Sequence, residues 1–321
     1  MNDLNTMKKE PTRFGFGKGL VEAARIHSNV VALCADLTDS TRMKEFKEEF
    51  PTRFFEMGVA EQNMAAVASG LASVGYIPVI ASYAMFSPGR NWEQIRTTIC
   101  YNHQPVIIAG HHTGLSVGPD GGSHQALEDI ALMTVLPHMR VVSPCDSLEA
   151  QKMMKLLIQN PVPSYIRLSR SETEILTTED DFCDLHSNNV LYQSHLSADT
   201  LIISTGVITV EAVHAAKKLS DQGSSISVLN ARILKPFPAE QLLFLLEQCD
   251  IKNIITVEEH QLRGGLGSII SEIITDNGLS QKLHRIGMDD SFGQSGTVQE
   301  LYEHYKLDRE SLFERIKDFI E

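Results

Sequence analysis

The chain has 321 residues, of which 42% are hydrophobic and 21% are charged, and its formal net charge is −13. This length is enough for one large or two medium-sized globular domains. The acidic balance, with no basic block to offset it, argues against binding to nucleic acid or to an anionic membrane.

The first half of the sequence alternates short apolar runs with helical patterns. Strands are predicted at residues 30–34, 53–57, 77–82, 105–110, 140–144 and 164–169. The clearest helix lies at residues 59–75, where small and apolar residues recur at intervals of three and four. Its predicted buried face comprises Ala60, Met64, Val67, Ala68 and Leu71. This pattern predicts a doubly wound α/β domain with a mostly parallel sheet.

A second α/β unit follows an acidic, turn-rich segment. Residues 171–200 are poor in periodic patterns and are predicted to link two domains. Beyond them, strands are predicted at residues 200–205, 225–230, 253–259 and 283–287, with helices at 210–223 and 239–250. We therefore expect two doubly wound α/β domains, at residues 1–185 and 186–321, of which the second is smaller.

Three glycine-containing motifs suggest functions that their surroundings do not support. The G-x-S-x-G pattern at residues 114–118 is that of a hydrolase nucleophile elbow, but Pro119 and two glycines stand where the elbow requires a helix. A serine hydrolase would need a helix beginning near Pro119. RGGLGS at residues 263–268 lacks the dinucleotide-binding spacing, so its glycines indicate close strand-to-helix packing. GFGKG at residues 15–19 has no preceding strand to make it a phosphate loop.

The segment VGPDGGSHQALED, residues 117–129, follows a predicted strand at the edge where open α/β sheets bind ligands. His111 and His112 precede it, and Asp120 and His124 lie within it. Such side chains can bind a metal, but adjacent histidines cannot easily face one ion and no known ligand spacing appears. We expect no metal site here. A glycine-rich surface loop is the plain alternative.

Glu61 begins the clearest predicted helix and has both a structural and a functional interpretation. A carboxylate there can simply stabilise the amino terminus of the helix, by about 0.3–1 kcal/mol. Tyr83 and Phe86 follow the next strand and could form an aromatic wall beside Glu61, although aromatics at strand ends often belong to the core. A functional role for Glu61 therefore requires a partner group beside it.

Several of these segments together resemble the transketolase family. They are residues 54–86, 111–132, 163–170, 231–237 and 257–268, in order and over nearly the whole chain. The resemblance is to the carboxyl-terminal half of the family, which comprises the pyrimidine-binding domain and the smaller domain after it. The family's G-D-G motif, which with a later asparagine binds metal and diphosphate, has no counterpart. The resemblance implies one subunit of a split transketolase.

The resemblance implies thiamine diphosphate as the cofactor. Glu61, in GVAEQ, falls on the family's catalytic glutamate, which hydrogen-bonds the pyrimidine ring. Tyr83 and Phe86 match the positions that pack on that ring, whereas a third family aromatic is missing from the SPGR segment that follows. Asp36 is expected at the cofactor-facing edge of the sheet.

The resemblance also places the substrate contacts. His124 would lie beside the reacting carbonyl as a second catalytic residue that donates to a developing alkoxide, and Asp120 would bind the neighbouring sugar hydroxyl. The glycines around them would let the backbone approach closely. The phosphate at the far end of the sugar would be held by Arg13, Ser40, His112 and Arg170. Two arginines and a histidine suit a phosphate or a sulfonate, although each alone could form an ordinary ion pair.

The implied activity is transfer of a two-carbon ketol unit from an anionic ketose to an aldose, together with a separate diphosphate-binding subunit. That partner would supply the ligands of Mg²⁺ or Ca²⁺, and the assembly is expected to be α2β2. A deoxyxylulose-phosphate synthase, a 2-oxoacid dehydrogenase β-type subunit and a noncatalytic scaffold are the alternatives. Against the scaffold stands the joint presence of Glu61, Asp120, His124, Arg13 and Arg170.

The sequence also predicts the compartment. No apolar run approaches the roughly 18 residues of a membrane span, and the amino terminus lacks the apolar core of a secretory signal. The five cysteines are scattered and include no C-x-x-C pair, so we expect reduced core residues rather than disulfides or a zinc site. A cytoplasmic protein is predicted.

Overall fold

A computed structural model describes residues 8–194 and 198–321 of the chain. In chain order the strands are β1 (Lys9–Pro11), β2 (Val30–Cys34), β3 (Phe54–Glu56), β4 (Ile77–Tyr83), β5 (Ile107–His111), β6 (Arg140–Val142), β7 (Ser164–Arg167), β8 (Glu172–Glu174), β9 (Asn189–Gln193), β10 (Thr200–Ser204), β11 (Ile226–Asn230), β12 (Ile233–Lys235), β13 (Asn253–Gln261) and β14 (Lys282–Met288). The helices are α1 (Thr12–Ile26), α2 (Lys44–Glu49), α3 (Glu61–Ser73), α4 (Trp92–Gln94), α5 (Asp129–Thr134), α6 (Ser147–Gln159), α7 (Thr209–Asp221), α8 (Ala239–Gln248), α9 (Leu266–Asp276), α10 (Val298–His304) and α11 (Arg309–Ile320).

The larger sheet has the strand order β12-β6-β7-β5-β4-β2-β3. Its neighbouring strands are parallel, except that β12 runs antiparallel to β6. Parallel strands are covered by helices on both faces, which explains why all five residues of β2 are apolar and buried. The predicted doubly wound α/β domain is confirmed.

The second sheet has the order β14-β13-β10-β11-β9, with β9 antiparallel to β11 and the other pairs parallel. Helix α7 packs on one face of this sheet together with α11, and its buried side comprises apolar residues at helical spacing. A separate antiparallel pair joins β1 to β8. The expectation of a second, smaller α/β unit is confirmed.

The structure contains strands β8, β9 and β12, which were not predicted. Residues 171–200, predicted to link two domains, include β8, which pairs with β1, and β9, which forms an edge of the second sheet. Strand β12 follows the second sheet's β11 in sequence yet pairs with β6 of the first sheet. Strands of three residues are too short to show a periodic pattern. The boundary at residues 185/186 remains a prediction.

The buried face of α3 differs from the predicted one. Val67, expected inside, is 36% exposed, and Ala60 precedes the helix in a non-helical conformation. The buried residues are Glu61, Met64, Ala65, Ala68, Ser69 and Ala72. The helix begins at Glu61 and not at Ala60, so most of its buried positions lie one residue later than predicted.

The glycines of GFGKG serve helix packing. A Cβ atom on Gly15 would lie 1.7 Å from the carbonyl oxygen of Ser147, and one on Gly19 would lie 2.5 Å from that of Gln151. Helices α1 and α6 therefore approach each other more closely than larger residues allow. The glycines of RGGLGS have the same purpose, since a Cβ on Gly267 would lie 2.7 Å from the Arg285 side chain.

Two further findings concern helix length and the cysteine residues. No helix within residues 8–194 and 198–321 has the length and apolar character needed to cross a bilayer. All five cysteines carry free thiols; three are buried and two, Cys183 and Cys249, are partly buried.

Candidate active site

The carboxyl ends of the parallel strands bring the predicted site residues to one edge of the larger sheet. Strands that run in the same direction end on the same side, so segments far apart in sequence meet there. Helix α1 and the loop after β5 complete the edge. At the strand ends or within five residues after them lie Asp36, Glu61, Tyr83, Phe86, His112 and Arg170.

Glu61 is a buried carboxylate at the start of α3, only 1% exposed. Its Oε2 accepts a hydrogen bond from Nη1 of Arg90 at 2.7 Å, and its backbone carbonyl accepts one from the Asn91 amide at 3.1 Å. The Arg90 side chain is 46% exposed and lies over the Phe86 ring, 4.7 Å from its centroid. The Glu61 carboxylate is thus buried, whereas its counter-ion Arg90 is partly exposed to solvent.

The aromatic side chains beside Glu61 form one cluster. The Tyr83 and Phe86 rings are nearly parallel, with an interplanar angle of 20° and centroids 6.2 Å apart. The His112 ring stacks on Tyr83 at 3.8 Å, and the His124 ring meets Phe86 edge-on at 5.5 Å. Two predicted cofactor contacts, one predicted phosphate ligand and one predicted catalytic histidine are therefore neighbours.

Arg13 and His112 are under-satisfied polar groups. Nη1 of Arg13 donates to the Ser40 carbonyl at 2.9 Å, which brings these two predicted residues together, but its buried Nε has no hydrogen-bond partner among the described residues. Nδ1 of His112 is also buried without such a partner. Burial lowers the pKa of Arg13, and the nearby Arg170 guanidinium lowers it further. An anion bound here would accept hydrogen bonds from these groups and so stabilise the cluster.

Asp120 and Arg170 are paired with each other. Nη1 of Arg170 donates to Oδ1 of Asp120 at 3.0 Å and to the Val117 carbonyl at 2.9 Å. His124, four residues further on, has its Nδ1 3.0 Å from the Ser123 hydroxyl. The predicted sugar-hydroxyl ligand is thus the direct neighbour of a predicted phosphate ligand.

The hydrolase interpretation of residues 114–118 is wrong. The segment Leu115–Asp120 is a 3₁₀ turn interrupted at Gly118, and the next α-helix, α5, begins at Asp129. The Ser116 side chain is 1% exposed and its hydroxyl lies 3.3 Å from both the Thr113 carbonyl and a Glu259 carboxylate oxygen. A nucleophile elbow requires an exposed serine and an immediate helix, and this turn has neither.

His111 does not join the site. Its side chain is fully buried and meets the Phe16 ring edge-on at 4.9 Å. Burial lowers its pKa well below the usual value, so His111 is a neutral core residue. In the described part of the chain, no three His, Cys, Asp or Glu side chains are grouped so that they could hold a metal ion.

The burial of His112 predicts a pH effect on stability. Burial, Arg13 and Arg170 together lower its pKa to about 3 from 6.5. Between these values the unfolded chain binds one more proton than the folded chain, so this contribution to stability is present above pH 6.5 and is lost as the pH falls. Between pH 7 and 5 we expect wild type to lose about 2 kcal/mol more unfolding free energy than His112→Asn in urea titrations. Equal losses in the two proteins would contradict the assignment.

The sequence arguments missed three residues that organise the edge. Arg90 lies in the SPGR segment after Phe86, but its pairing with Glu61 needs the three-dimensional fold. Glu56 accepts hydrogen bonds from the backbone N–H of Asp36 and from the Thr38 hydroxyl, both at 2.7 Å, and so ties the ends of β2 and β3 together. The third is Glu259, whose carboxylate comes from the second sheet.

A buried charge network joins the edge to the second sheet. Arg167, 3% exposed, donates from Nε to Oδ2 of Asp129 at 2.9 Å and from Nη2 to the Glu259 carbonyl at 2.8 Å. The Tyr165 hydroxyl donates to the same Asp129 oxygen at 2.7 Å. Burial of three polar side chains is tolerated because each has a partner.

Comparisons with known proteins agree with this architecture. Residues 8–174 match the family model described as transketolase, pyrimidine binding domain, and residues 190–312 match transketolase, C-terminal domain. A protein of Methanocaldococcus jannaschii that carries the name transketolase C-terminal section is 39% identical over 95% of both chains. A subunit of the apulose-4-phosphate transketolase of Phocaeicola vulgatus is 32% identical over 96% of this chain and 97% of its own.

A solved structure is similar along the whole chain. It is a split-gene transketolase in an inactive β4 tetramer, 35% identical, with a TM-score of 0.85 over 97% of this chain and 98% of that one. The chain also matches 1-deoxy-D-xylulose-5-phosphate synthases, of which it spans about half the length. The chain belongs to the transketolase family, in which it corresponds to the split-subunit type that carries the pyrimidine-binding and C-terminal domains.

Proposed function

We propose that this chain binds the aminopyrimidine of thiamine diphosphate at the sheet edge and, with a diphosphate-binding subunit, transfers a two-carbon ketol unit between anionic sugars. The observation that carries the proposal is Glu61. It is a buried carboxylate at a helix amino terminus, and its counter-ion Arg90 lies over the Phe86 ring of the aromatic cluster. A carboxylate that only stabilises the start of its helix would not account for the cluster of aromatic rings that Arg90 links to it.

The residues at the edge fit the cofactor. Tyr83 and Phe86 offer flat apolar surfaces for the pyrimidine ring, and Glu61 offers an oxygen to a ring nitrogen. The buried Ser82 hydroxyl has no hydrogen-bond partner among the described residues and is a further polar group at the end of β4. Thiamine diphosphate supplies, when bound, the electron sink that carbon–carbon bond cleavage requires. Asp36 lies at the same edge, where its backbone is fixed by Glu56.

His124 and Asp120 support the sugar end of the proposal. The His124 imidazole, which belongs to the glycine-rich loop, meets the Tyr83 and Phe86 rings edge-on. An imidazole N–H there can donate to an oxygen on which negative charge develops. Asp120 can accept from a sugar hydroxyl while its other interaction, with Arg170, orients it.

The anionic end of the sugar fits Arg13, Arg170, His112 and Ser40. The Arg170 guanidinium is close enough to lower the pKa of Arg13, and the buried Nε of Arg13 and Nδ1 of His112 both lack partners among the described residues. A phosphate or a sulfonate has enough acceptor oxygens to satisfy several of these groups at once. Because the chain as a whole has a net charge of −13, an anionic substrate needs a local positive cluster such as this one to bind.

Replacing the anion ligands should raise KM selectively. With Arg13→Met we expect the KM for a phosphorylated ketose to rise about 10- to 100-fold, because a charge-assisted hydrogen bond contributes roughly 1.5–3 kcal/mol. The KM for an unphosphorylated ketose should stay within about twofold. Arg96→Met, at an exposed arginine on the same domain, is the control. Equal effects of Arg13→Met on both sugars would contradict the role.

The proposed partner is an amino-terminal transketolase subunit that binds the diphosphate and holds Mg²⁺ or Ca²⁺. Exposed apolar side chains near the proposed cofactor site suit a surface that the partner covers: Val59, two residues before α3, is 70% exposed, and Phe55, in β3, is 39% exposed. We further propose self-association of this chain within an α2β2 assembly. The free thiols fit a reducing compartment, and we place the protein in the cytoplasm without a role for nucleic acid or membrane.

A donor comparison separates this activity from its nearest alternative. The mixture of this chain with its partner should transfer a ketol unit from xylulose 5-phosphate or a sulfonated ketose to an aldose phosphate. A deoxyxylulose-phosphate synthase would instead use pyruvate and release carbon dioxide. Carbon dioxide release from pyruvate with glyceraldehyde 3-phosphate, and no turnover of ketoses, would replace our proposal by that alternative.

A further inference from the structure

A buried carboxylate of the second sheet reaches the turn that carries the proposed sugar ligands. Glu259, on β13, is 1% exposed. Its Oε1 accepts a hydrogen bond from the backbone N–H of Ser116 at 2.8 Å, and its Oε2 lies 3.3 Å from the Ser116 hydroxyl. Ser116 belongs to the turn Leu115–Asp120. The contact spans 143 residues of sequence and joins the two domains.

The same turn fixes Asp120 and Arg170. The Ser171 hydroxyl donates to the Ser116 carbonyl at 2.6 Å, and Arg170 donates to the Val117 carbonyl at 2.9 Å and to Asp120 at 3.0 Å. The turn therefore determines the positions of both Arg170 acceptors, the Val117 carbonyl and the Asp120 carboxylate. A shift of Ser116 would move both proposed ligands.

Residues 121–125, which follow this turn, also contact the second domain. The Gln125 amide donates to the Gln294 carbonyl at 3.1 Å. A Cβ atom on Gly121 would lie 2.4 Å from the Ser295 hydroxyl, and one on Gly122 would lie 2.6 Å from the Gly293 carbonyl. The loop is thus packed against residues 293–296 without room for a side chain.

We propose that Glu259 is a positioning residue: it holds the turn Leu115–Asp120 so that Asp120 and Arg170 face the sugar, and the carboxyl-terminal domain thereby controls sugar binding. The sugar-binding part of this inference rests on the proposed function. The positioning part rests on the geometry of this chain alone.

Glu258 provides a matched control. It neighbours Glu259, is equally buried, and belongs to the same strand. Its carboxylate accepts from the backbone N–H groups of Leu266 and Gly267, at 2.7 and 2.8 Å, at the start of α9. Burial raises the pKa of both glutamates. The two residues therefore share their burial and their domain but differ in which segment they hold.

The first test is hydrogen exchange of the full chain, which needs no activity. With Glu259→Ala we expect the amides of residues 114–121 to exchange at least tenfold faster than in wild type. With Glu258→Ala the same amides should stay within twofold of wild type. Equal exchange of this segment in the two variants would overturn the positioning role.

The second test is kinetic and uses the mixture with the partner subunit. Glu259→Ala should raise the KM of the sugar at least tenfold and leave the half-saturating concentration of thiamine diphosphate within twofold. Glu258→Ala should leave both values within twofold. A loosened turn with an unchanged sugar KM would overturn the sugar-binding part, and an equal loss of cofactor affinity would show a general defect instead.

Two further variants cover a failure of Glu259→Ala to fold. Glu259→Gln keeps an acceptor for the Ser116 N–H and should show a smaller change in the same direction. Gly114→Ala disturbs the contact from the loop side, since Gly114 has φ +73° and its Cβ would lie 2.9 Å from that of Glu259. It should reproduce both effects, and normal exchange and sugar KM in Gly114→Ala would overturn the proposal. If wild type transfers no ketol unit, the proposed function fails while the exchange test still decides the positioning role.

Discussion

Replacing Glu61 by glutamine is expected to lower kcat of the assembled enzyme by about 10²- to 10⁴-fold, the range over which a positioned acid–base group contributes. The replacement keeps the size and one oxygen of the side chain but removes its ability to gain and lose a proton. Glu61 is 1% exposed and begins a helix, so glutamine can occupy the same place without opening the structure. Thermal unfolding should therefore change little.

The pairing of Glu61 with Arg90 is compatible with a role of Glu61 in proton transfer. Arg90 is the counter-ion of the carboxylate, yet its own side chain is 46% exposed and is held by stacking on Phe86. Its exposure leaves Arg90 room to move toward solvent when the carboxylate binds another donor. Glu61 thus combines a fixed position with a partner that can move away, which fits the proton transfer proposed for it.

Steady-state kinetics of the mixture with the partner subunit would measure the effect, with thiamine diphosphate in excess. Glu48→Gln, at an exposed glutamate on α2, is the matched control and should keep wild-type kcat. A Glu61→Gln enzyme with kcat within tenfold of wild type would remove Glu61 from the catalytic machinery.

Replacing Asp129 by alanine should lower the unfolding free energy by about 3–5 kcal/mol, because it leaves a buried arginine without its carboxylate. Asp129 and Arg167 are 1% and 3% exposed, and the Tyr165 hydroxyl donates to the same carboxylate oxygen. The loss would affect both domains, since Arg167 also donates to the Glu259 carbonyl across their boundary.

Urea unfolding of the chain at one fixed pH would measure this effect. The control is Glu310→Ala, which removes an exposed ion pair with Lys218 and should cost at most about 1 kcal/mol. The double variant Asp129→Ala with Arg167→Met should recover part of the loss, because it removes the unpaired charge. A loss below about 1 kcal/mol for Asp129→Ala alone would contradict the role of the network.

The sequence predicted the parts of the fold that depend on local pattern. The apolar run at residues 30–34 became β2 without change, and the run at 77–82 became β4. Long buried strands of a parallel sheet are visible as continuous apolar runs. Strand β12 and the pair of β1 with β8 were not predicted, because three-residue strands depend on partners that lie far away in sequence.

The candidate site was predictable in composition but not in pairing. The resemblance named Glu61, Tyr83, Phe86 and His124; in the structure the three rings are neighbours, and Arg90 links Glu61 to Phe86. It did not suggest Arg90 as the partner of Glu61, since an exposed arginine after Pro88 looks like a surface charge. Glu259 was also missed, because a buried hydrogen bond between residues far apart in sequence produces no local pattern in the sequence. Their roles in catalysis and sugar binding remain predictions.

Ketol transfer by this chain alone and in a mixture with its diphosphate-binding partner tests the central claim most directly. The assay would contain thiamine diphosphate and Mg²⁺, with xylulose 5-phosphate as donor and ribose 5-phosphate as acceptor, and sulfonated ketoses as further donors. Our account predicts transfer by the mixture and none by either subunit alone. Full transfer by this chain alone, or a mixture that neither forms a complex nor binds the cofactor, would contradict it.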